Sequence, residues 1–355
     1  MGKKLLSFSK YIIFLGGGLL LVWWQLHSMK PEDASQFKQA LHHADYLLII
    51  PVVIMNLLSH LSRSMRWKLL MEPLGYHPKL KNVFAVTMVG YLANSAVNRL
   101  GEVLKCTFLS RYEHIKADKL IGTILVERTF DLLCYLAFIG ITVLIQIDAI
   151  GGYVAETFKA IGRNGIPLWL KISMAALFIL LIILLLLFKK YPENKAVRSV
   201  KVFLIDIGIG FTTIKNLKHK KMFLLHTLFI WSMYLLQIYL AFKAIHGTAF
   251  LGMKAACAVL TLSTLAMIIT PGGIGSFPLL VAATLTTVYH VQPSQGNALG
   301  WLIWGVSTGI VIVAGVLSLV LLPYLNKNNH AVITGHQPED LHSGGTGPAN
   351  SGMEA

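Results

Sequence analysis

Six long apolar runs set the strongest constraint on how this 355-residue chain can fold. A helix needs about 20 mainly apolar residues to cross the hydrocarbon core of a bilayer, and each run is near that length. The runs cover residues 9 to 26, 45 to 62, 120 to 146, 168 to 188, 222 to 242 and 301 to 322. The sequence therefore predicts an all-α integral membrane protein with six full transmembrane helices.

Two further apolar regions are each divided into short pieces. Residues 82 to 97 and 100 to 112 are separated by the letters NRLG, and residues 255 to 270 and 276 to 290 are separated by PGGIG. Each piece is short for a full crossing. We therefore expect two re-entrant helical hairpins, each entering and leaving the membrane on the same side.

The positions of the 31 lysines and arginines favour this threading. Cytoplasmic loops retain positive charge, whereas short translocated loops are depleted in it. With two re-entrant hairpins, most of these charges fall on the cytoplasmic side, in groups at the N-terminus, from Arg63 to Lys81, from Arg99 to Lys119, from Lys189 to Lys221 and at Lys327. The prediction is a multi-pass protein of the cell (inner or plasma) membrane, with both termini cytoplasmic.

The same threading predicts an inverted repeat, because two spans, a hairpin and a span enter first from the cytoplasm and then from outside. The polytopic membrane domain is predicted to cover residues 1 to 325, with halves at about 1 to 165 and 166 to 325. Residues 326 to 355 are polar and rich in glycine, and they are predicted to form a disordered cytoplasmic tail.

Charge and motif content exclude several functional classes. The formal net charge of +15 is attributed to anionic phospholipids at the cytoplasmic face rather than to nucleic acid, since no long soluble domain is present. The three cysteines form no CxxC pair and the histidines are scattered, so neither a metal nor a cofactor is expected. No GxxxxGK[ST] loop is present, so the chain is not expected to hydrolyse ATP. Oligomers are compatible with this composition.

The stretch NSAVNRLGEVLK supplies one group of candidate site residues, at the predicted tip and return arm of the first hairpin. Arg99 is the best candidate to hold a phosphate, because its guanidinium can donate two hydrogen bonds to phosphate oxygens. Lys105 would be a second positive charge, and Glu102 would hold Arg99 when no substrate is present. Asn94 completes this predicted headgroup site.

A second group lies inside a predicted span, in the stretch GTILVERTFDLL. Glu127 and Asp131 are four residues apart on one helix face, and Arg128 precedes Asp131 by three. Charges within a span cost a few kcal/mol each, so these side chains are expected to face the protein interior and to pair. Two interpretations stay open, a translocation site or a structural ion network that holds the hairpin to the span.

The stretch TPGGIGSFPLL predicts a break in the second hairpin. Pro271 lacks an amide donor, and Gly272, Gly273 and Gly275 allow backbone geometry that other residues avoid. Ser276 is predicted to cap the helix that restarts here, and the helix N-terminus would offer N–H groups to an anionic headgroup. The alternative is a tight turn that serves packing alone. Gly305 and Gly309, in an apolar span, are likewise predicted to pack against another helix.

The four motifs RSMRWKLL, NSAVNRLGEVLK, GTILVERTFDLL and TPGGIGSFPLL occur in this order. With them, most of residues 5 to 325 resembles the flippase-like membrane domain of lysylphosphatidylglycerol synthases, also called multiple peptide resistance proteins, and its stand-alone relatives. The resemblance implies lipid translocation between leaflets. Nothing after residue 325 has the length of the synthase domain, so a stand-alone member that is not an enzyme is expected.

The leading functional prediction is a flippase or transporter with a membrane lipid as its substrate. The lipid would be an anionic or aminoacylated phospholipid or a polyprenyl-phosphate lipid, moved between leaflets. One alternative is an intramembrane lipid-modifying enzyme that uses Glu127, Asp131 or a histidine in acid–base chemistry. Another is a non-transporting membrane scaffold in which the buried charges are purely structural.

Overall fold

The computed structural model describes residues 16 to 146 and 217 to 327, except Leu26 and Asn98. The predicted span at residues 168 to 188, the basic linker before residue 217 and residues 328 to 355 of the predicted tail lie outside the described residues. The span predicted at residues 9 to 26 is described only from residue 16 onward.

Every regular element in the described ranges is helical. The α-helices are α1 (16–25), α2 (Pro31–His42), α3 (Ile49–Met71), α4 (Leu80–Ala96), α5 (Leu100–Glu113), α6 (Ala117–Ile145), α7 (Lys220–Ala244), α8 (Met253–Ile269), α9 (Ser276–Tyr289) and α10 (Pro293–Leu325). Short 3₁₀ turns lie at Tyr46–Leu48, Glu72–Leu74, His246–Thr248 and Pro271–Gly273. The all-α prediction is confirmed for this part of the chain.

Four described segments are long and apolar enough to cross a membrane: Tyr46–Leu74, Ala117–Ile145, Lys220–Ala244 and Pro293–Leu325. They correspond to four of the six predicted spans. Their outward faces carry large apolar side chains, such as Leu144, Leu228 and Val313, which are 66%, 66% and 60% exposed. Such faces suit contact with lipid tails.

The two divided regions form helix pairs that repeat in length and in backbone geometry. Both first helices, α4 and α8, have 17 residues, and both second helices, α5 and α9, have 14. The residue before α5, Arg99, has φ of 68°, and the residue before α9, Gly275, has φ of 72°. The residues after these helices, His114 and His290, both have φ of 54°. The chain therefore contains an internal structural repeat.

Helix α10 aligns the two pairs, because each packs along a different half of it. At its C-terminal end, Asn326 exchanges amide hydrogen bonds of 2.8 and 3.0 Å with Asn82, near the start of α4. Toward its N-terminal end, Gly300 lies against the backbone of Pro278 in α9. The α4–α5 pair and the α8–α9 pair thus extend from opposite ends of α10. Asn326, the first residue of the predicted tail, is buried here.

The breaks of the two helix pairs meet near the middle of α10. Gly272 lies against the backbone of Ser95, at the end of α4. The Trp304 indole N–H of α10 donates a 2.9 Å hydrogen bond to the carbonyl oxygen of Gly272. Gly305 and Gly309 follow on α10, but no described atom lies within 4 Å of where their Cβ atoms would be. The predicted helix packing at these two glycines is therefore not made by the described residues.

Close contact of α4 with α5 depends on glycine in both helices. A Cβ at Gly101 would overlap the carbonyl oxygen of Gly90 and the side chain of Asn94. A Cβ at Gly90 would stand 2.6 Å from Cγ of Lys105. Only residues without a side chain allow the two backbones to approach this closely.

We expect Gly101→Ala to destabilise the protein by about 1–3 kcal/mol, because an added methyl must push α4 and α5 apart. Thermal unfolding of the purified protein in detergent measures this change. Gly122→Ala is the matched control, since Gly122 lies in α6 with open space around it. Alanine is about 1 kcal/mol better than glycine inside a helix, so Gly122→Ala should be neutral or stabilising. Equal unfolding temperatures for the two variants would contradict the proposed close packing.

Candidate functional site

Five charged side chains from three helices form a buried charged cluster: Arg63 and Arg66 of α3, Lys105 of α5, and Glu127 and Asp131 of α6. Asp131 accepts from both arginines, at 2.5 Å from Arg63 Nη1 and 2.6 Å from Arg66 Nη2. Glu127 lies 3.5 Å from a nitrogen of each of the three cations. Since each carboxylate faces more than one cation, the cluster joins α3, α5 and α6 electrostatically.

The sequence analysis placed Arg63 and Arg66 just beyond a predicted span, among the cytoplasmic charges. In the structure α3 continues to Met71, so both lie inside the helix. The Arg66 side chain is 0% exposed and that of Arg63 is 11% exposed. Their three-residue spacing places both on the face toward α6. The sequence signal for this placement lies in α6. Glu127 and Asp131 share one helix face of a span, and Arg128 alone supplies too few cations to pair with both.

Lys105 is held by an aromatic ring as well as by Glu127. Its Nζ lies 4.1 Å from the ring centroid of Trp67, in the geometry of a cation–π contact. The indole N–H of Trp67 in turn donates to Thr123 Oγ1 on α6, at 2.9 Å. The aromatic contact places Lys105 within the buried cluster rather than on a mobile surface arm.

Glu102 and Arg128 form a separate pair at the margin of the charged cluster. Their side chains meet at 2.6 Å and are 25% and 46% exposed, so this pair is accessible where the cluster is not. The predicted pairing of Glu102 with Arg99 is therefore wrong. Arg99 is exposed and stands at the α4–α5 break, in a left-handed backbone conformation.

Asn94 fixes the α4–α5 break from the α4 side. Its Oδ1 accepts a 2.8 Å hydrogen bond from the N–H of Gly101, in the first turn of α5, and its Nδ2 lies 3.5 Å from Glu102 Oε1. A side chain from α4 thus satisfies a free amide at the start of α5. Asn94 therefore holds the start of α5 in place beside Glu102.

The PGGIG turn breaks the helix as predicted. It consists of Pro271, Gly272, Gly273, Ile274 and Gly275. Gly272, Gly273 and Gly275 have φ of 58°, 70° and 72°. A Cβ at Gly275 would stand 2.6 Å from the carbonyl oxygen of Gly18 in α1, so packing requires glycine there as well.

Ser276 does not cap α9, contrary to prediction, because Gly275 occupies the capping position. The Ser276 hydroxyl instead lies 2.6 Å from Thr270 Oγ1 and 3.0 Å from the Ala266 carbonyl oxygen. The N-terminus of α9 also has few free N–H groups. The Ser276 N–H donates to the carbonyl oxygen of Ile274, and Pro278 has no N–H. The amides of Gly275 and Phe277 are left for an anion, so this helix end offers fewer donors than the sequence indicated.

The charged groups together carry an excess of positive charge. Arg63, Arg66, Lys105 and Arg128 are four cations, and Glu102, Glu127 and Asp131 are three carboxylates. One positive charge is left over, and Arg99 adds another at the nearby break. A site of this kind attracts an anion rather than a cation or a neutral molecule.

The sequence matches a known protein family. A family model described as the transmembrane region of lysylphosphatidylglycerol synthase matches residues 8–331. The chain belongs to this family. It is a multi-pass membrane protein, as predicted from its apolar runs.

A curated relative of this family member is the UPF0104 membrane protein MJ1595 of Methanocaldococcus jannaschii. The two chains are 23% identical over 300 residues, which cover 77% of this chain and 84% of the relative. No solved structure matches the chain.

In the described part of this family member, no group of three or more histidine, cysteine, aspartate or glutamate side chains could hold a metal ion. Cys106 and Cys257 are buried free thiols, and Cys134 is a half-buried one. The ionisable groups of the charged cluster are guanidinium, ammonium and carboxylate groups.

We expect Asp131→Asn to destabilise this family member by about 3–5 kcal/mol, because Arg63 and Arg66 would lose their closest anion while remaining buried. Thermal unfolding in detergent, with size-exclusion chromatography, measures the loss. Asp118→Asn is the control, since Asp118 is exposed in the first turn of α6. If Asp131→Asn unfolds at the wild-type temperature, the charged cluster does not hold α3 to α6.

Proposed function

We propose that this protein moves lipids with anionic headgroups between the two leaflets of a membrane. The candidate lipids are an anionic or aminoacylated phospholipid or a polyprenyl-phosphate lipid. The observation that carries the proposal is the excess positive charge of the charged cluster and its margin, placed next to two helix breaks that meet. A buried excess of cations is costly in a membrane protein, and intramembrane charges of this kind commonly mark substrate paths.

The proposed path follows from the internal repeat. We take the α4–α5 and α8–α9 pairs to be re-entrant hairpins that enter from opposite sides, which makes the repeat an inverted one. In support, the pairs extend from opposite ends of α10, a helix of 33 residues that is about 50 Å long. Irregular backbone at membrane depth is tolerated where it is buried in protein or lines a wet cavity. Broken helices of this kind form the substrate sites of many transporters.

The proposed headgroup contacts are the accessible cations. Arg128 and Arg99 can each donate two parallel hydrogen bonds to a phosphate, whereas Arg63 and Arg66 are already engaged by Asp131. Glu102 would leave Arg128 when a phosphate replaces it, and Lys105 would supply a long-range attraction from behind. The buried cluster thus acts as the fixed support of a small accessible site.

An intramembrane enzyme receives less support from the same geometry. A general acid or base must exchange a proton with its substrate. Asp131 accepts from two arginines, and Glu127 lies among three cations, an environment that keeps both carboxylates ionised. The other alternative is a non-transporting scaffold, which lipid translocation in proteoliposomes distinguishes from a transporter.

Cysteine labelling tests the inverted repeat in the full chain. Lys81 and Lys116 flank the first hairpin, and Lys254 and Gln292 flank the second; all four are exposed. We expect Lys81→Cys and Lys116→Cys to react with a membrane-impermeant maleimide from one side of the membrane, and Lys254→Cys and Gln292→Cys from the other. Labelling of Lys81→Cys and Lys116→Cys from different sides would exclude a re-entrant first hairpin.

Lipid translocation in proteoliposomes tests the function itself. We expect wild-type protein to move fluorescent phosphatidylglycerol or a polyprenyl-phosphate lipid, and Arg128→Gln to reduce the rate about 10-fold to 100-fold, the cost of a lost charge-assisted hydrogen bond. Arg99→Gln should also reduce it. Arg111→Gln is the matched control, because Arg111 is exposed in the last turn of α5.

Two results would contradict the proposed function. If wild type moves none of these lipids, the scaffold alternative is favoured. If Arg128→Gln and Arg99→Gln both transport at the wild-type rate, the headgroup site is elsewhere in the chain.

A further inference from the structure

A cleft of about 590 Å³ lies where α2, the 3₁₀ turn at His246–Thr248 and the start of α10 meet. Clefts that bind small ligands commonly have volumes of about 300–1,000 Å³. The polar lining consists of four glutamines and two histidines, so we call it the glutamine cleft: Gln36, Gln39, His43, His246, Gln292 and Gln295.

The glutamine cleft is separate from the charged cluster. Helix α3 begins at Ile49, close in sequence to His43 of the cleft. From there, Arg63 of the charged cluster lies about 21 Å further along the helix axis. The two sites therefore stand near opposite ends of α3.

Hydrogen bonds hold two walls of the glutamine cleft in place. The Ser294 hydroxyl of α10 donates to Gln36 Oε1 of α2 at 3.0 Å, which ties these two helices together. The buried Thr248 hydroxyl donates to the carbonyl oxygen of Phe242 at 2.8 Å, which fixes the turn that carries His246. Because the walls are fixed in advance, a ligand loses less binding free energy in ordering them.

Gln295 contributes an acceptor that the described residues leave unsatisfied. Its side chain lies against Gly247, where an added Cβ would stand 2.7 Å from Cγ and 2.8 Å from Cδ of Gln295. Its Oε1 is buried and accepts no hydrogen bond from the described part of the chain. Buried polar atoms nearly always have a partner in folded proteins. This oxygen therefore indicates a place for a hydrogen-bond donor from a ligand.

The lining favours an uncharged group with several hydroxyls. A carboxamide offers both donors and an acceptor, and a neutral imidazole offers one of each. Among the described residues that line the cleft, none is an aspartate, glutamate, lysine or arginine. The ammonium of nearby Lys243 is bound by the carbonyl oxygens of Ala249 and Leu251. A hydroxyl both donates and accepts, so glycerol or a sugar matches this lining, whereas an ion would find no opposite charge.

Exposed apolar side chains beside the glutamine cleft indicate that its ligand belongs to a lipid. Tyr46 and Leu47 stand just before α3, Phe250 follows the turn that carries His246, and all three are exposed. Aromatic residues at the ends of membrane spans mark the boundary between hydrocarbon and headgroups. A cleft at this boundary is within reach of a headgroup whose acyl chains stay in the bilayer.

We propose that the glutamine cleft binds the uncharged, hydroxyl-rich headgroup of a lipid, such as glycerol or a sugar. Gln295 Oε1 accepts a hydrogen bond from one hydroxyl, and the other carboxamides and the imidazoles bind the remaining hydroxyls. This site goes beyond the arginines proposed to hold a phosphate, and binding to it does not require translocation.

Native mass spectrometry of the full chain tests this inference, because each bound lipid adds its own mass. Protein in a detergent without hydroxyl groups is mixed with glucosyl-diacylglycerol or with phosphatidylcholine of the same acyl chains. We expect wild type to bind the glucosyl lipid at least about 10-fold more tightly, since only this headgroup makes several hydrogen bonds as a donor. Gln295→Ala should weaken that binding about 3-fold to 10-fold, the effect of one lost hydrogen bond. Gln146→Ala, outside the cleft, should keep the wild-type affinity.

Gly247→Ala is a second variant, and it leaves every polar group of the glutamine cleft in place. The added methyl must displace the Gln295 side chain, so this variant should also weaken binding of the glucosyl lipid. Gly122→Ala is its control, because Gly122 has open space around it.

Three results would overturn the inference. Equal affinity of wild type for the glucosyl lipid and phosphatidylcholine would do so whether or not the variants fold. Wild-type affinity for the glucosyl lipid in both Gln295→Ala and Gly247→Ala would place the binding site elsewhere. If free methyl glucoside binds as tightly as the glucosyl lipid, the ligand is a sugar and not a lipid. Selective binding of the glucosyl lipid by protein that translocates no lipid would support the cleft and contradict the proposed function.

Discussion

The contact of two arginines on α3 with the two carboxylates of α6 is the interaction on which the rest of this structure depends. In a bilayer the apolar side chains gain little by leaving lipid for protein, so burial alone does not choose which helices pack together. Charged groups do determine which helices pack together, because an unpaired charge is costly in hydrocarbon. Arg63 and Arg66 can be satisfied only where Glu127 and Asp131 lie, and this requirement sets the rotation of α3 and α6 about their axes. Lys105 adds α5 to the same arrangement.

Glycine at points of backbone contact supplies the second constraint. Gly90 and Gly101 bring α4 and α5 together, Gly272 brings the second break against Ser95, and Gly300 brings α9 against α10. Small residues give transmembrane helices the close packing that the hydrophobic effect does not supply. Because the breaks are held against each other and against α10, the irregular backbone at the PGGIG turn is enclosed by protein rather than exposed to lipid.

The sequence was sufficient for the helical class, for four described spans and for both helix breaks, because these depend on apolar length and on proline and glycine. It was insufficient for the partners within the site. Glu102 was assigned to Arg99 because they are near in sequence, yet it pairs with Arg128 from another helix. The predicted span ended before Arg63 and Arg66 because hydropathy falls at charged residues whether these are buried or exposed. Which charges meet is decided by helix rotation, which a single sequence does not specify.

On the proposed function, the charged cluster would serve both stability and transport, because the cluster and its margin differ in accessibility. Arg66 is completely buried and bound by Asp131, so its charge cannot be exchanged without breaking the contact between α3 and α6. Arg128 is partly exposed and bound by one carboxylate, so a phosphate can replace Glu102 without disturbing that contact. The fixed ions also create the excess positive potential that makes this replacement favourable. On the proposed function, a structural ion network and a headgroup site are therefore compatible interpretations of these residues, since the first would produce the field in which the second would operate.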